Sequence, residues 1–259
     1  MERVREDEVL VEHMTWPEVQ ERLQQGWDTA VFGVGALEQH GPHLPISTDA
    51  LLGTEMAVGV ARALGRALAW SSIRPGFSPH HMDFPGTITL RHETLVMIMQ
   101  DYVRSLVRHG FRRIVVICAH GGNAPTIRLG CRQIQEEIGD RALIVPIFDT
   151  IRYASDKEAF IGLEEGFHAN RIETSWILHI APELVKMDRA VRDGKYPKVN
   201  DFSVVLSQGS IRDFAASGAM GDGTKGNALL GRETFERSVA KIAEEIEAFT
   251  DFLSKDERK

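Results

Sequence analysis

Apolar and polar positions alternate with two periods along this chain, and the order of the periods predicts its architecture. Residues 29–34 read as a short buried strand, and the unbroken apolar run at 114–118 is of the kind found in strands buried on both faces of a parallel sheet. Residues 69–74 and 142–147 read as two further strands. Between them the period lengthens to about 3.6 residues. Leu52, Met56, Val60, Ala63 and Leu64 share one face of a helix over 50–68. Leu95, Ile98, Met99, Tyr102 and Leu106 do the same over 93–109, where Gly110 is a fitting C-terminal stop. Thr15-Trp16-Pro17-Glu18 reads as the capped start of a helix that ends by Gly26. Pro125 opens another helix that reaches Ile138 and stops at Gly139, an apolar helix-like run at 176–180 is closed by Pro182, and a charged amphipathic helix over 232–253 closes the chain. Strand, helix, strand, helix implies right-handed crossovers and a mostly parallel, doubly wound α/β sheet. In such sheets ligands sit beyond the carboxyl ends of the strands.

Three segments break the periods. Residues 75–87 are too rich in Gly and Pro for regular structure, yet carry two histidines and two aromatic residues, which suits a pocket wall with Ser78 and His81 as pocket candidates. Residues 186–211 are polar and turn-rich, a surface excursion that suits an oligomer contact. Residues 218–226 form a glycine-rich loop without the Walker spacing, so a backbone turn is favoured over a phosphate cradle.

The 259 residues, 43% of them hydrophobic, suffice for one large α/β domain over 1–259. A net charge of −7 gives no general attraction to polyanions, so nucleic acid and anionic membranes are poor partners and a small-molecule substrate fits better. The two cysteines, Cys118 and Cys131, make no disulfide framework; Met1 to Leu10 is charged and lacks an apolar h-region, and no later segment has 18 or more consecutive apolar residues. A cytoplasmic location is the expectation.

Candidate chemistry concentrates in Glu38-Gln39-His40-Gly41-Pro42-His43-Leu44-Pro45-Ile46-Ser47-Thr48-Asp49. Carboxylates and imidazoles together suit Zn²⁺, Mn²⁺ or Fe²⁺, and one carboxylate can hold two ions roughly 3.5–4 Å apart. The spacing of His40 to Glu38 favours it over His43, which suits a turn. Asp49 is also placed to cap the helix that follows. Gly33-Val34-Gly35-Ala36-Leu37-Glu38 imitates a dinucleotide fingerprint, but its third glycine is replaced by Glu38, whose charge would oppose a pyrophosphate. His120 follows a predicted strand, and Glu173 falls near a helix start, where a carboxylate is favoured with or without metal.

Taken together, the Glu38 to Asp49 motif, Phe84-Pro85-Gly86-Thr87, His120-Gly121-Gly122-Asn123, His168-Ala169 with Glu173-Thr174-Ser175, and Gly221-Asp222 resemble the creatininase (creatinine amidohydrolase) family over nearly the whole chain. The resemblance implies a single-domain three-layer α/β/α sandwich and two divalent metal ions per chain, zinc, manganese or iron. It also implies a homohexamer built as a trimer of dimers. It assigns Glu38 and His120 to one metal, His40 to the other, Asp49 as the bridge and Glu173 as a further ligand. The departures concern the substrate. Creatininase has a metal-binding glutamate where this chain has Gly122, and a glutamate where it has Phe167. The His-Gly-Gly-Asn form is similar to a branch that includes a nucleotide deformylase, a peptidase of redox-cofactor maturation and a hydrolase of a cyclic diketone.

The reaction expected is hydrolysis of a C–N amide bond by metal-activated water, with His168 as proton shuttle or, alternatively, as support for a ligand. Hydrolysis of a cyclic ketone, a non-catalytic anion-binding module, and a metal-stabilised oligomer that has lost catalysis are the competing expectations.

Overall fold

The structure, a computed structural model, describes residues 8–148, 150–154, 166–194 and 209–256. Its main sheet has four parallel strands, β1 (Thr29–Val34), β2 (Ala67–Ile73), β3 (Arg113–Cys118) and β4 (Leu143–Ile147), in the order β2-β1-β3-β4. The helices are α1 (Trp16–Gln24), α2 (Thr48–Leu64), α3 (His92–His109), α4 (Ala124–Ile138), α5 (Arg171–Ile180), the single turn α6 (Ile211–Phe214) and α7 (Ala228–Asp256). A small antiparallel sheet joins β5 (Gly166–His168), β6 (Arg192–Asp193) and β7 (Met220–Asp222) in the order β5-β7-β6.

Because strand side chains alternate between faces, each central strand feeds two cores. Val31, Val115, Ile117, Val145 and Ile147 pack with Met56 of α2, Trp176 of α5 and Ile242 of α7. Phe32, Ile114, Val116 and Ile144 pack with Met99 of α3, Ile134 of α4 and Leu23 of α1. Helices therefore cover both faces, and the expected three-layer α/β/α sandwich is what the chain forms. Every residue of β1 is buried. At ~1.5–3 kcal/mol for each large apolar side chain removed from water, such a strand has no face to spare for solvent.

Several boundaries differ from the sequence expectation, among them α5, which begins at Arg171 rather than Trp176. The helix expected over 50–68 is Thr48–Leu64, and β2 begins at Ala67. Gly65 takes φ +79° and ends the helix, after which Ala67, Leu68 and Ala69 are buried in the sheet. The last helix starts at Ala228, four residues early, because the Asn227 side chain accepts from the Leu229 amide at 2.8 Å. Of the polar excursion at 186–211, residues 195–208, and with them the expected oligomer contact, lie outside the described residues.

Two close approaches set up the site. A Cβ at Gly33 would lie 2.7 Å from the Gly53 backbone, so α2 rests directly on β1. A Cβ at Gly35 would likewise lie 2.7 Å from the Asp49 carbonyl oxygen, which sets the first turn of α2 against the loop that leaves β1.

Candidate metal centre

Four loops converge at the carboxyl edge of the main sheet: 35–47 after β1, 75–87 after β2, 119–123 after β3, and the turn between β5 and α5. They bury Glu38, His40, Asp49, His80, His81, His120, His168 and Glu173, none more than 7% exposed. Asp49 does not cap α2. Ser47 occupies the cap position, and Asp49 lies in the first turn with its carboxylate turned inward. Its Oδ1 is 3.2 Å from His40 Nε2 and its Oδ2 is 3.2 Å from His120 Nδ1. Glu38 Oε2 is 3.2 Å from His120 Nε2, while Glu38 Oε1 faces His81 Nε2 at 3.2 Å and His168 Nδ1 at 3.8 Å.

These groups are close but misaligned for pairing with one another. Both Glu38 oxygens, Asp49 Oδ2 and His40 Nε2 are buried and make no hydrogen bond among the described residues. Buried polar atoms left this way cost ~1–3 kcal/mol each, so their convergence calls for a common partner, and the donor set is that of a divalent cation. Three sets of ligand atoms lie within 4.8 Å of one another: Glu38, His40 and His168; Glu38, His80 and His120; His40, Asp49 and Glu173.

The electrostatics agree. Burial pushes the Glu38 carboxyl up to about 7, with Asp49 acting in the same direction and His120 and His40 against it. For His40 burial disfavours the cation, but Asp49, helped by Glu173 and Glu38, carries it up to about 10. His120 is likewise raised to about 9 against burial by Glu38 and Asp49. Burial opposes ionisation of Asp49, yet His40 and His120 hold it well below the usual carboxylate range. Glu173 is raised, first by burial. Burial, together with neighbouring histidines, keeps His81 and His168 neutral, and brings His80 down to about 3.

The surrounding residues fix orientation. His168 Nε2 donates to the Gln39 carbonyl at 2.7 Å, which leaves Nδ1 as the lone pair facing Glu38. The Gln39 side-chain nitrogen approaches His81 Nδ1 at 2.7 Å, and its Oε1 accepts from the Gly41 amide at 2.8 Å. Ala169 takes φ +51°, strained for a residue with a Cβ, and its amide reaches Glu173 Oε2 at 2.6 Å. Asn123 ties the edge together, donating to the Val34 and Gly35 carbonyls and accepting from the Phe77 amide.

The site residues expected from sequence, Glu38, His40, Asp49, His120, Glu173 and His168, are thus brought together. His43 is not among them, since its Nε2 meets the Thr174 hydroxyl at 2.9 Å. Ser78 and His81, expected on a pocket wall, are buried and turned inward, Ser78 Oγ lying 3.4 Å from His120 Nε2 and His81 against Glu38. The glycine loop at 218–226 packs its backbone on the site. A Cβ at Gly218 would lie 2.1 Å from Gln39 Oε1, and one at Gly223 would lie 2.5 Å from His43 Nε2. Sequence reading missed Gln39 and His80. Both stood inside segments already singled out, but nothing local distinguished them from loop residues.

The profile of the family described as creatininase, creatinine amidohydrolase, matches residues 12–246. The chain belongs to the creatininase family. It is 30% identical over 238 residues to the mycofactocin precursor peptide peptidase of Mycobacterium ulcerans (strain Agy99), covering 88% of each chain. It is 33% identical over 198 residues to the creatinine amidohydrolase of Pseudomonas putida, covering 71% of this chain and 76% of that one. A solved structure described as creatininase Mn superposes with a TM-score of 0.80 at 29% identity, over 92% of this chain and 97% of that chain. This creatininase-family protein is a hydrolase with a buried cluster of side chains suited to divalent metal. No helix among the described residues is long and apolar enough to cross a membrane.

Proposed function

We propose that the chain holds two divalent ions and hydrolyses a C–N amide bond in a small substrate, a formamide, a lactam or a short peptide-like amide. The observation that carries this reading is Asp49, whose two oxygens face His40 on one side and His120 on the other at equal distance. Glu38 would complete the His120 side and Glu173 the His40 side. Ions so held would polarise the substrate carbonyl and lower the pKa of a water toward ~7.

The chain's own residues do the rest. In hydrolysis a C–O bond forms from water, the C–N bond breaks, and one proton passes from the water to the leaving nitrogen. His168 is placed to carry it: its Nε2 proton is committed to the Gln39 carbonyl, so Nδ1 accepts and returns the travelling proton. His81 and Ser78 support Glu38 and His120 from behind. Assembly of copies of this chain into a hexamer is part of the same proposal, checked by sedimentation velocity.

Creatinine is expected to be a poor substrate. Gly122 offers no carboxylate and Phe167 no polar side-chain atom beside His168. A polar group of creatinine left unpaired there costs ~1–3 kcal/mol, about one to two decades in selectivity. The test is kcat/KM for creatinine against formamides, lactams and dipeptides with metal-loaded protein. Creatinine emerging best by tenfold would overturn the assignment of substrate, and metal analysis giving one equivalent or less would overturn the two-ion reading.

Metal uptake should also depend on pH. His40 and His120 must shed protons held up to about 10 and about 9 before their nitrogens can bind a cation. The apparent Mn²⁺ affinity of apoprotein should therefore climb from pH 6 to 8, with protons released to the buffer. Calorimetric titrations showing neither would count against ligation by these two imidazoles.

A further inference from the structure

We propose that His80 is a metal ligand of this centre, joining Glu38 and His120 on one ion. The proposal rests on the two-ion reading above and assigns one of its ligands.

The case starts at Gly122. A Cβ there would lie 2.4 Å from His120 Nε2 and 2.7 Å from the Phe77 carbonyl, which is backbone and cannot swing away. No side chain fits at 122 without moving the 75–87 loop. The same Cβ would lie 2.9 Å from His80 Cε1. The imidazole of His80 thus stands in the space that a side chain at 122 would occupy, delivered from the opposite loop.

His80 is presented for this by local structure. Pro79, His80 and His81 form one 3-10 turn. The turn places the two rings with centroids 4.4 Å apart, and their partners differ. His81 is engaged by Gln39 at Nδ1 and faces Glu38 with Nε2. Neither nitrogen of His80 makes a hydrogen bond among the described residues. Its ring lies nearly parallel to that of His120, at 10° and 5.7 Å between centroids, and one of its nitrogens lies within 4.8 Å of ligand atoms of Glu38 and His120. A 5% exposed imidazole with that neighbourhood and no hydrogen bond there is what a third donor looks like.

The experiment compares metal-replete wild type, His80→Ala and His80→Glu. Each is examined by elemental analysis, Mn²⁺ titration of the apoprotein and zinc X-ray absorption, which counts imidazoles at the metal. The expected result for His80→Ala is a fall from about two equivalents to about one, with affinity at that position weakened by more than the ~10–100-fold that loss of an outer-shell partner causes. One imidazole should vanish from the zinc spectrum. His80→Glu, which supplies a donor from the same position, should recover the second equivalent, so a fold defect in the alanine protein would not imitate the pattern. Two equivalents and an unchanged imidazole count in His80→Ala would overturn the proposal. A wild type holding one ion would instead overturn the two-ion reading, and the imidazole count would still decide His80.

Discussion

An Asp49→Asn protein is expected to bind neither ion and to lose turnover to the uncatalysed background. The amide keeps one acceptor oxygen but replaces the other with an NH₂ donor, which would be aimed at either His40 or His120 and would repel a cation on that side. It also removes one of the three carboxylates of the cluster, and with it much of the attraction that holds positive charge in a buried site. The fold should survive. Ser47 holds the cap position of α2, so the loss at the helix start is confined to the macrodipole effect of one carboxylate, ~0.3–1 kcal/mol. Asp49→Ser sharpens the test because serine removes both carboxylate oxygens while Ser47 still holds the cap position. Elemental analysis of both variants beside their thermal melts is the measurement, and a serine variant with full metal content and activity would remove the bridge.

Replacing His168 by alanine should keep the metals and lower turnover by ~10²–10⁴, the range for losing a general acid or base. The basis is the division of labour within one ring, Nε2 donating to the Gln39 carbonyl and Nδ1 left open beside Glu38. Because His168 also lies with Glu38 and His40 in a set that could hold an ion, the metal content of the variant is part of the result. A variant that folds but comes out short of metal would move His168 into the ligand shell. Substrate binding should change less than turnover, so KM and kcat measured together separate a proton carrier from a residue that shapes the pocket.

The sequence by itself determined the sheet and most of the ligand set, since both are written in short-range patterns. The apolar runs that became β1 and β3 could be buried only between two layers, and the helical stripes of α2 and α3 had to cover them. Once the sheet was parallel, the loops bearing Glu38, His40 and His120 were bound to emerge at one edge. Local signals failed where two structures shared the same composition. The apolar period runs unbroken from α2 into β2, and the change falls at Gly65, whose positive φ is a property of the folded backbone. Asp49 carries the same residue type for capping a helix as for binding metal. The choice was made only when the Gly33–Gly53 contact laid α2 on β1 and turned the carboxylate toward His40 and His120. His80 and Gly122 are the clearest case. One is a loop histidine and the other a loop glycine, far apart in the chain, and the meaning of each depends on the other. Only the strand order β2-β1-β3, which sets the loop after β2 across β1 from the loop after β3, brings the imidazole into the space the glycine leaves.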